Sequence, residues 1–216
     1  MPRIIFVEGN IGTGKSTFLK MIETCYDKDK YQVIYEPVDI WTSLKDEAGC
    51  NILQHFYADQ KRYAYSFQSL AFISRLEKLN EITQGKDVFI ERSIWSDSNV
   101  FAKNCYMQGT LVDIEYKLYK RWFSWAETLV NKQVPDFKHI YLRCSPETSF
   151  ERINVRCRKE ESGIPIEYIS QIHDRHEEWL HDNTNTITVD VSADDYVKDD
   201  ESFEKIFDRV TRFGKN

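Results

Sequence analysis

Two kinds of apolar spacing alternate along this chain. Ile4-Ile-Phe-Val7, Gln32-Val-Ile-Tyr35, Asp87-Val-Phe-Ile90, His139-Ile-Tyr-Leu142 and Thr186-Ile-Thr-Val189 are short runs rich in β-branched and aromatic residues. Such runs predict strands, and the first is apolar throughout, as a strand covered on both faces is. Between them, apolar residues recur every three or four positions, which predicts helices over about 15–24, 52–84, 112–132, 146–157, 165–182 and 201–213. In the longest stretch the repeat is Phe56, Tyr63, Phe67, Leu70, Ile73, Leu76 and Leu79, and Gly85 closes it. Ser145-Pro146 opens the helix that follows the fourth strand, where proline is tolerated in the first turn. Strands alternating with helices predict an α/β fold, a parallel sheet with helices on both faces. The 216 residues contain no internal repeat and no linker, so a single domain over 1–216 is expected.

Composition narrows the classes. Charged residues at 30% and aromatics at 14% argue against disorder, and 8 Gly with 5 Pro exclude a collagen-like chain. Twenty-nine basic against 35 acidic residues leave a net charge of −6, which lacks the basic footprint of a nucleic-acid binder. No apolar run approaches the ~18 residues of a membrane span. The first apolar run is too short for a signal or transit peptide, so a cytoplasmic location is expected, with nuclear entry left open. Cysteines 25, 50, 105, 144 and 157 are scattered without a Cys-x-x-Cys pair. They read as free thiols of a reducing compartment rather than zinc ligands or a disulfide framework. His173 and His176 could share adjacent helical turns. However, Asp174-Arg175-His176-Glu177-Glu178 reads as a solvated face with Trp179 and Leu180 turned inward, and no third ligand is spaced to complete a metal site.

Candidate chemistry begins at Gly9-Asn-Ile-Gly-Thr-Gly14-Lys15-Ser16, which fits G-x-x-x-x-G-K-[ST] between a strand and a helix. In that pattern glycines let backbone N–H groups converge on phosphate oxygens, and the helix N-terminus adds partial positive charge. Gly9, Asn10, Gly12, Thr13, Gly14, Lys15, Ser16 and Thr17 are therefore the candidate phosphate cradle. Lys15 is expected at the outer phosphates and the Ser16 hydroxyl on Mg²⁺. The loop alone leaves kinase, ATPase and GTP switch open.

Two strand ends address that choice, because ligands of open α/β sheets gather outside the carboxyl ends of the strands. Glu36-Pro37-Val38 and Glu91-Arg92-Ser93 stand at two such ends. One carboxylate suits a base for an acceptor hydroxyl and the other a Mg²⁺ ligand, while Arg92 can neutralise charge on a transferring group. A third cluster is Arg152, Arg156 and Arg158. The first two lie about 40° apart on a helix, and Arg158 joins them only if the helix ends near Cys157. These arginines read either as a mobile lid, about 152–163, or as a solvated face paired with Glu151, Glu160 and Glu161.

With these residues assembled, the chain resembles the deoxyribonucleoside kinase family, most of all its deoxycytidine/deoxyguanosine kinase branch. The resemblance rests on Gly9–Thr17, Glu36-Pro-Val-x-x-Trp41, Ser66-Phe-Gln68, Glu91-Arg-Ser93, the arginine cluster and Gly163-Ile-Pro-x-Glu-Tyr168. It implies a P-loop kinase fold with a five-stranded parallel sheet and an Arg-rich lid, a homodimer built through long helices, and no nucleic-acid or membrane partner. It also implies phosphorylation of a deoxyribonucleoside 5′-hydroxyl from ATP or another triphosphate, with Mg²⁺, in nucleotide salvage. On the matching positions, Glu36 is the implied general base, Arg92 the arginine near the 5′-oxygen, and Glu91 the carboxylate that helps Ser16 hold Mg²⁺. Tyr57 and Glu161 are implied at the sugar 3′-hydroxyl, Gln68 and Phe101 at the base, Trp41 at the pocket wall and Ile11 at its entrance. Arg152, Arg156 and Arg158 match the lid arginines. The donor-base loop near Asp194-Asp195-Tyr196 departs by an inserted residue and contributes no site residue here.

Ala71, Arg75 and Asp97 match the positions that separate deoxycytidine- and purine-type members from thymidine-type ones, so thymidine is expected to be a poor substrate. Three rivals remain alongside. A thymidylate-type monophosphate kinase needs arginines rather than a base at the acceptor, which Glu36 speaks against. A GTP switch lacks its Asn-Lys-x-Asp signature here, and a non-catalytic scaffold would be free to lose Lys15, Glu36 and Arg92.

Overall fold

The computed structural model describes residues 3–161, 163–193, 197 and 199–213. The five runs form strands β1 (Ile4–Glu8), β2 (Tyr31–Ile34), β3 (Asp87–Glu91), β4 (Phe137–Arg143) and β5 (Thr186–Asp190). All pair in parallel, in the order β2-β3-β1-β4-β5, so β1 is central. This is the five-stranded parallel α/β sheet that the resemblance implied. Helices are α1 (Lys15–Cys25), α2 (Val38–Ser43), α3 (Ile52–Ala58), α4 (Gln60–Lys78), α5 (Ile94–Ser96), α6 (Ala102–Met107), α7 (Asp113–Gln133), α8 (Pro146–Arg156), α9 (Ile166–Leu180) and α10 (Asp200–Phe213).

The period-2 alternation of a strand divides the core. Ile4 and Phe6 of β1 face one layer, with Phe67 and Phe72 of α4 and Tyr119 and Phe123 of α7. Ile5 and Val7 face the other, with Phe18, Leu19 and Ile22 of α1 and Phe203 and Phe207 of α10. A strand covered on both sides has no polar face to spare, which is why β1 reads as an uninterrupted apolar run.

Three features differ from the sequence reading. The stretch 52–84 is two helices broken at Asp59, whose N–H donates to the His55 carbonyl while its carboxylate accepts from the Arg62 N–H. One residue thus ends α3 and caps α4, a role that the apolar repeat running through it conceals. Second, His176 is fully buried rather than solvated: its ring lies parallel to Tyr141, and Nδ1 is 2.7 Å from the Ile172 carbonyl. Burial and the Arg92 charge hold its pKa well below the usual histidine value. No cluster of metal-ligating residues is found among the described residues. Third, helix α2 and the segment 94–107 were not expected; the latter contains a π-helical turn, Asp97–Phe101, between α5 and α6. No helix among the described residues is long and apolar enough to cross a membrane.

Candidate active site

The glycine loop leaves β1 and enters α1, with Gly14 at the N-cap in the left-handed region (φ 91°). A side chain at Gly12 would put Cβ 2.3 Å from the Ser149 carbonyl of α8, so only glycine lets the loop lie against that helix. Asn10 ties the loop down: its amide donates to the Ile169 carbonyl of α9 at 2.8 Å, and its oxygen accepts from the Ile11 N–H at 2.8 Å. Lys15 Nζ donates to the Asn10 carbonyl at 2.6 Å. Burial and the nearby Arg92 charge lower the Lys15 pKa to about 7, and the negative charge of a bound phosphate would reverse that shift.

Beyond the loop opens a cavity of about 630 Å³. It is lined by Ile11, Gly12, Gly14, Lys15, Ser16 and Thr17 from the loop and α1, and by Glu36, Glu91 and Arg92 from the strand ends. Gly9, Asn10 and Thr13 stand behind this wall; Asn10 and Thr13 are buried and bonded within the loop. Ser16 Oγ donates to Glu91 Oε1 at 2.7 Å, so a hydroxyl and a carboxylate meet at the phosphate end. Two hard oxygen donors suit Mg²⁺, which keeps most of its waters and takes phosphate oxygens for the rest.

Glu36 lies between two arginines. Its Oε1 accepts from Arg75, and Arg92 Nε stands 3.1 Å away. Burial would raise its pKa, but the charges of Arg75, Arg92 and Lys15 outweigh that and hold it at about 2. Arg92 itself has φ 62°, a left-handed conformation rare outside glycine, and its guanidinium lies over the Phe101 ring at 4.7 Å.

Helix α8 ends at Arg156 because Cys157 turns left-handed (φ 53°), and Arg158 follows on the side that lines the cavity. Arg156 and Arg158 both donate to Glu161, and Arg152 donates to the Val191 carbonyl at 2.8 Å. All three line the cavity, as do Tyr57 and Glu161. Burial and the Glu161 charge push the Tyr57 phenol up.

The far end of the cavity is apolar with a few polar groups. Trp41, Gln68, Ala71, Arg75, Asp97 and Phe101 line it. Trp41 is also a core aromatic, with Nε1 donating to Ser74 Oγ at 2.9 Å. Arg75 donates to both Glu36 and Asp97. Gln68 Oε1 and Asp97 Oδ2 are buried acceptors without a hydrogen-bond partner among the described residues. Burial raises the Asp97 pKa to about 6, only partly offset by an arginine it shares with Glu36.

Sequence reasoning missed the apolar walls Leu53, Phe56, Phe67 and Tyr168. Helical periodicity, shared with every core position, is the only signal for the first two, while Phe67 and Tyr168 stand inside the family-like motifs around Gln68 and Gly163 without being singled out. The donor-base loop near Asp194, Asp195 and Tyr196 lies outside the described residues.

The family model for deoxynucleoside kinase matches residues 5–215. The chain belongs to the deoxynucleoside kinase family. Its relatives include bovine (Bos taurus) deoxycytidine kinase, 34% identical over 94% of this chain and 89% of the relative. Human deoxycytidine kinase is 34% identical over 97% of this chain and 90% of its own length. Human mitochondrial thymidine kinase 2 is 36% identical over 82% of this chain and 64% of its own. The deoxynucleoside kinase fold and a nucleotide phosphate donor follow from membership, and the loop's open choice resolves to a kinase. Near-equal identity to deoxycytidine and thymidine kinases means that base choice has to be argued from individual side chains.

Proposed function

We propose that this kinase transfers the γ-phosphoryl group of ATP to the 5′-hydroxyl of deoxycytidine, deoxyadenosine or deoxyguanosine, and that thymidine is a poor substrate. The observation that carries the reading is the pair of buried, unpartnered acceptors, Gln68 Oε1 and Asp97 Oδ2, at the apolar end of the cavity. An exocyclic amine of cytosine or adenine donates to such acceptors, while the Gln68 amide N–H meets the adjacent ring nitrogen. Thymine has no exocyclic amine to offer these acceptors and brings a 5-methyl group against Arg75. A site whose buried polar groups go unpaired rejects the wrong ligand strongly.

In the transfer, the 5′-oxygen forms a bond to the γ-phosphorus as the bond to the ADP oxygen breaks, and the hydroxyl proton passes to Glu36. A carboxylate held at about 2 is a weak base. In a loose transition state the proton leaves late, when the oxygen bonding to phosphorus has become acidic enough for Glu36 to take it. Lys15, Arg92 and the lid arginines meet the charge on the transferring group. Tyr57 and Glu161 are the proposed partners of the sugar 3′-hydroxyl, with Ile11 at the entrance and Trp41, Ala71 and Phe101 around the base. Ser16 and Glu91 would hold Mg²⁺, which screens the phosphate charge.

A homodimer is the proposed assembly. Ile114, Leu118, Trp122, Trp125 and Leu129 form one exposed apolar face of α7, about 110° around the helix from the buried Tyr119, Phe123, Ala126 and Val130. A helix apolar on both faces needs a second partner surface. Five free cysteines fit the proposed cytoplasmic setting, and salvage of nucleosides is its role there.

The test is a coupled assay of ADP release with each of the four natural deoxyribonucleosides. The three amine-bearing substrates are expected to exceed thymidine in kcat/KM. A value for thymidine equal to or above all three would defeat the reading.

A further inference from the structure

Glu8, the last residue of β1, does not line the cavity, is completely buried, and has no role in the reading above. Its Oε1 accepts the Ser93 N–H at 3.0 Å across 85 positions of chain. That N–H is the first donor to leave the ladder after β3. The preceding one, of Arg92, still bonds to the Val7 carbonyl at 3.0 Å. Between the two the chain takes its left-handed turn at Arg92 (φ 62°), which no Gly or Asn is present to ease. The turn sends the Arg92 guanidinium, 3% exposed, towards Glu36 and Phe101. Ser93 then starts the next segment: its Oγ accepts the Ser96 N–H at 3.3 Å, and its carbonyl accepts from Ser96 Oγ at 2.8 Å. That segment carries Asp97. Behind Glu8, His139 Nδ1 stands 3.5 Å from the same oxygen, and the imidazole is walled by Phe6, Trp95, Phe137 and Trp179.

We propose that Glu8 is a positioning residue for phosphoryl transfer: its carboxylate holds the Ser93 N–H, which fixes the strained turn at Arg92 and aims that guanidinium at the reacting phosphate. A strained backbone persists only where its surroundings over-determine it, and Glu8 supplies a long-range side-chain bond to the backbone directly after this turn. The inference rests on the reading of Arg92 as the residue that meets the transferring group. A purely structural Glu8–His139 ion pair is the competing account, and the two make opposite demands on the side chain. Positioning needs an acceptor at the reach of a glutamate, with or without charge. The ion pair needs the charge.

The experiment compares Glu8→Gln with Glu8→Asp in the full-length chain, each also combined with Arg92→Ala. Glu8→Gln keeps an acceptor within reach of Ser93 and is expected to retain most of kcat. Glu8→Asp keeps the charge but withdraws the acceptor, and should lower kcat on the order of 10–100-fold with KM for nucleoside and ATP changed less than about twofold. In the Arg92→Ala background Glu8→Asp should cost less than about twofold more, because it acts through that side chain. An amide-to-ester replacement at Ser93, which deletes the N–H itself, should reproduce the kcat loss if Glu8→Asp does not fold. Loss of activity in Glu8→Gln but not in Glu8→Asp overturns the proposal in favour of the ion pair. Additive losses, or a lowered Tm with unchanged kcat per folded molecule, also overturn it. If Arg92→Ala alone leaves kcat intact, it is the role of Arg92 that fails.

Discussion

Arg75 on α4 donates from one terminal nitrogen to Asp97, a carboxylate with no exposed surface, and from the other to Glu36. One guanidinium therefore ties the end of the cavity proposed to read the base to the end where transfer is proposed. Removing that cation leaves Asp97 buried without a counter-charge, which typically costs about 3–5 kcal/mol. Arg75→Met should accordingly destabilise the protein in urea unfolding more than Arg75→Met with Asp97→Ala. The double variant should also shift kcat/KM towards thymidine, because the acceptor and the obstacle to the 5-methyl group go together. An unchanged thymidine ratio in a folded double variant would leave the pair a structural one.

Replacing Glu36 tests the acceptor side. Glu36→Gln keeps size and hydrogen bonding but removes the proton acceptor, so kcat should fall by about 10²–10⁴-fold while nucleoside binding by calorimetry is kept. A variant with more than half of wild-type kcat would take Glu36 out of this role.

The two carboxylates on Arg75 predict opposite pH trends. Asp97 is raised from 3.8 to about 6, so its native form holds a proton more tightly, and its contribution to stability is lost as pH rises through about 6. Glu36 is lowered from 4.5 to about 2, so its contribution is present above about 4.5 and lost as pH falls towards 2. Asp97→Asn should therefore flatten the unfolding free energy between about pH 4 and 6. The same titration predicts that KM for deoxycytidine rises below about pH 6 in the wild type and stays level in Asp97→Asn. A parallel pH profile in the two proteins refutes both.

At the end of α8, in the proposed lid, Arg156 pairs with Glu161 and is partly exposed, so it can exchange that partner for phosphate. Arg156→Ala should lower kcat on the order of 10²-fold and change nucleoside KM much less. If only thermal stability moves, the arginine belongs to a solvated face.

Trp122 and Trp125 are 54% and 58% exposed on the outer face of α7. Trp122→Glu with Trp125→Glu should convert a dimer to a monomer in sedimentation velocity without loss of helix by circular dichroism. A wild-type chain that sediments as a monomer at micromolar concentration removes the assembly from the reading.

The amino-acid sequence by itself determined the five strands, most of the longer helices and most of the local chemistry. The five strands follow from dense β-branched and aromatic runs, and the phosphate loop from glycines that must take left-handed angles next to Lys15 and Ser16. Both are written within a few residues, where periodicity and steric limits act. Only the tertiary structure decided what reaches across the chain. Periodicity put His176 among charged neighbours, but the packing of α9 beside Tyr141 buries it, because spacing tells which residues share a face and not what covers that face. Asp59 broke the long helix through its own capping bond, which an apolar repeat does not record. The bonds of Arg75 to Glu36, and of Ser93 to Glu8, join residues 39 and 85 positions apart. No spacing rule reaches so far: parallel strands bring their carboxyl ends together at one edge of the sheet, and α4 packs against the segments that follow β2 and β3, where low dielectric makes each buried charge answer to the next.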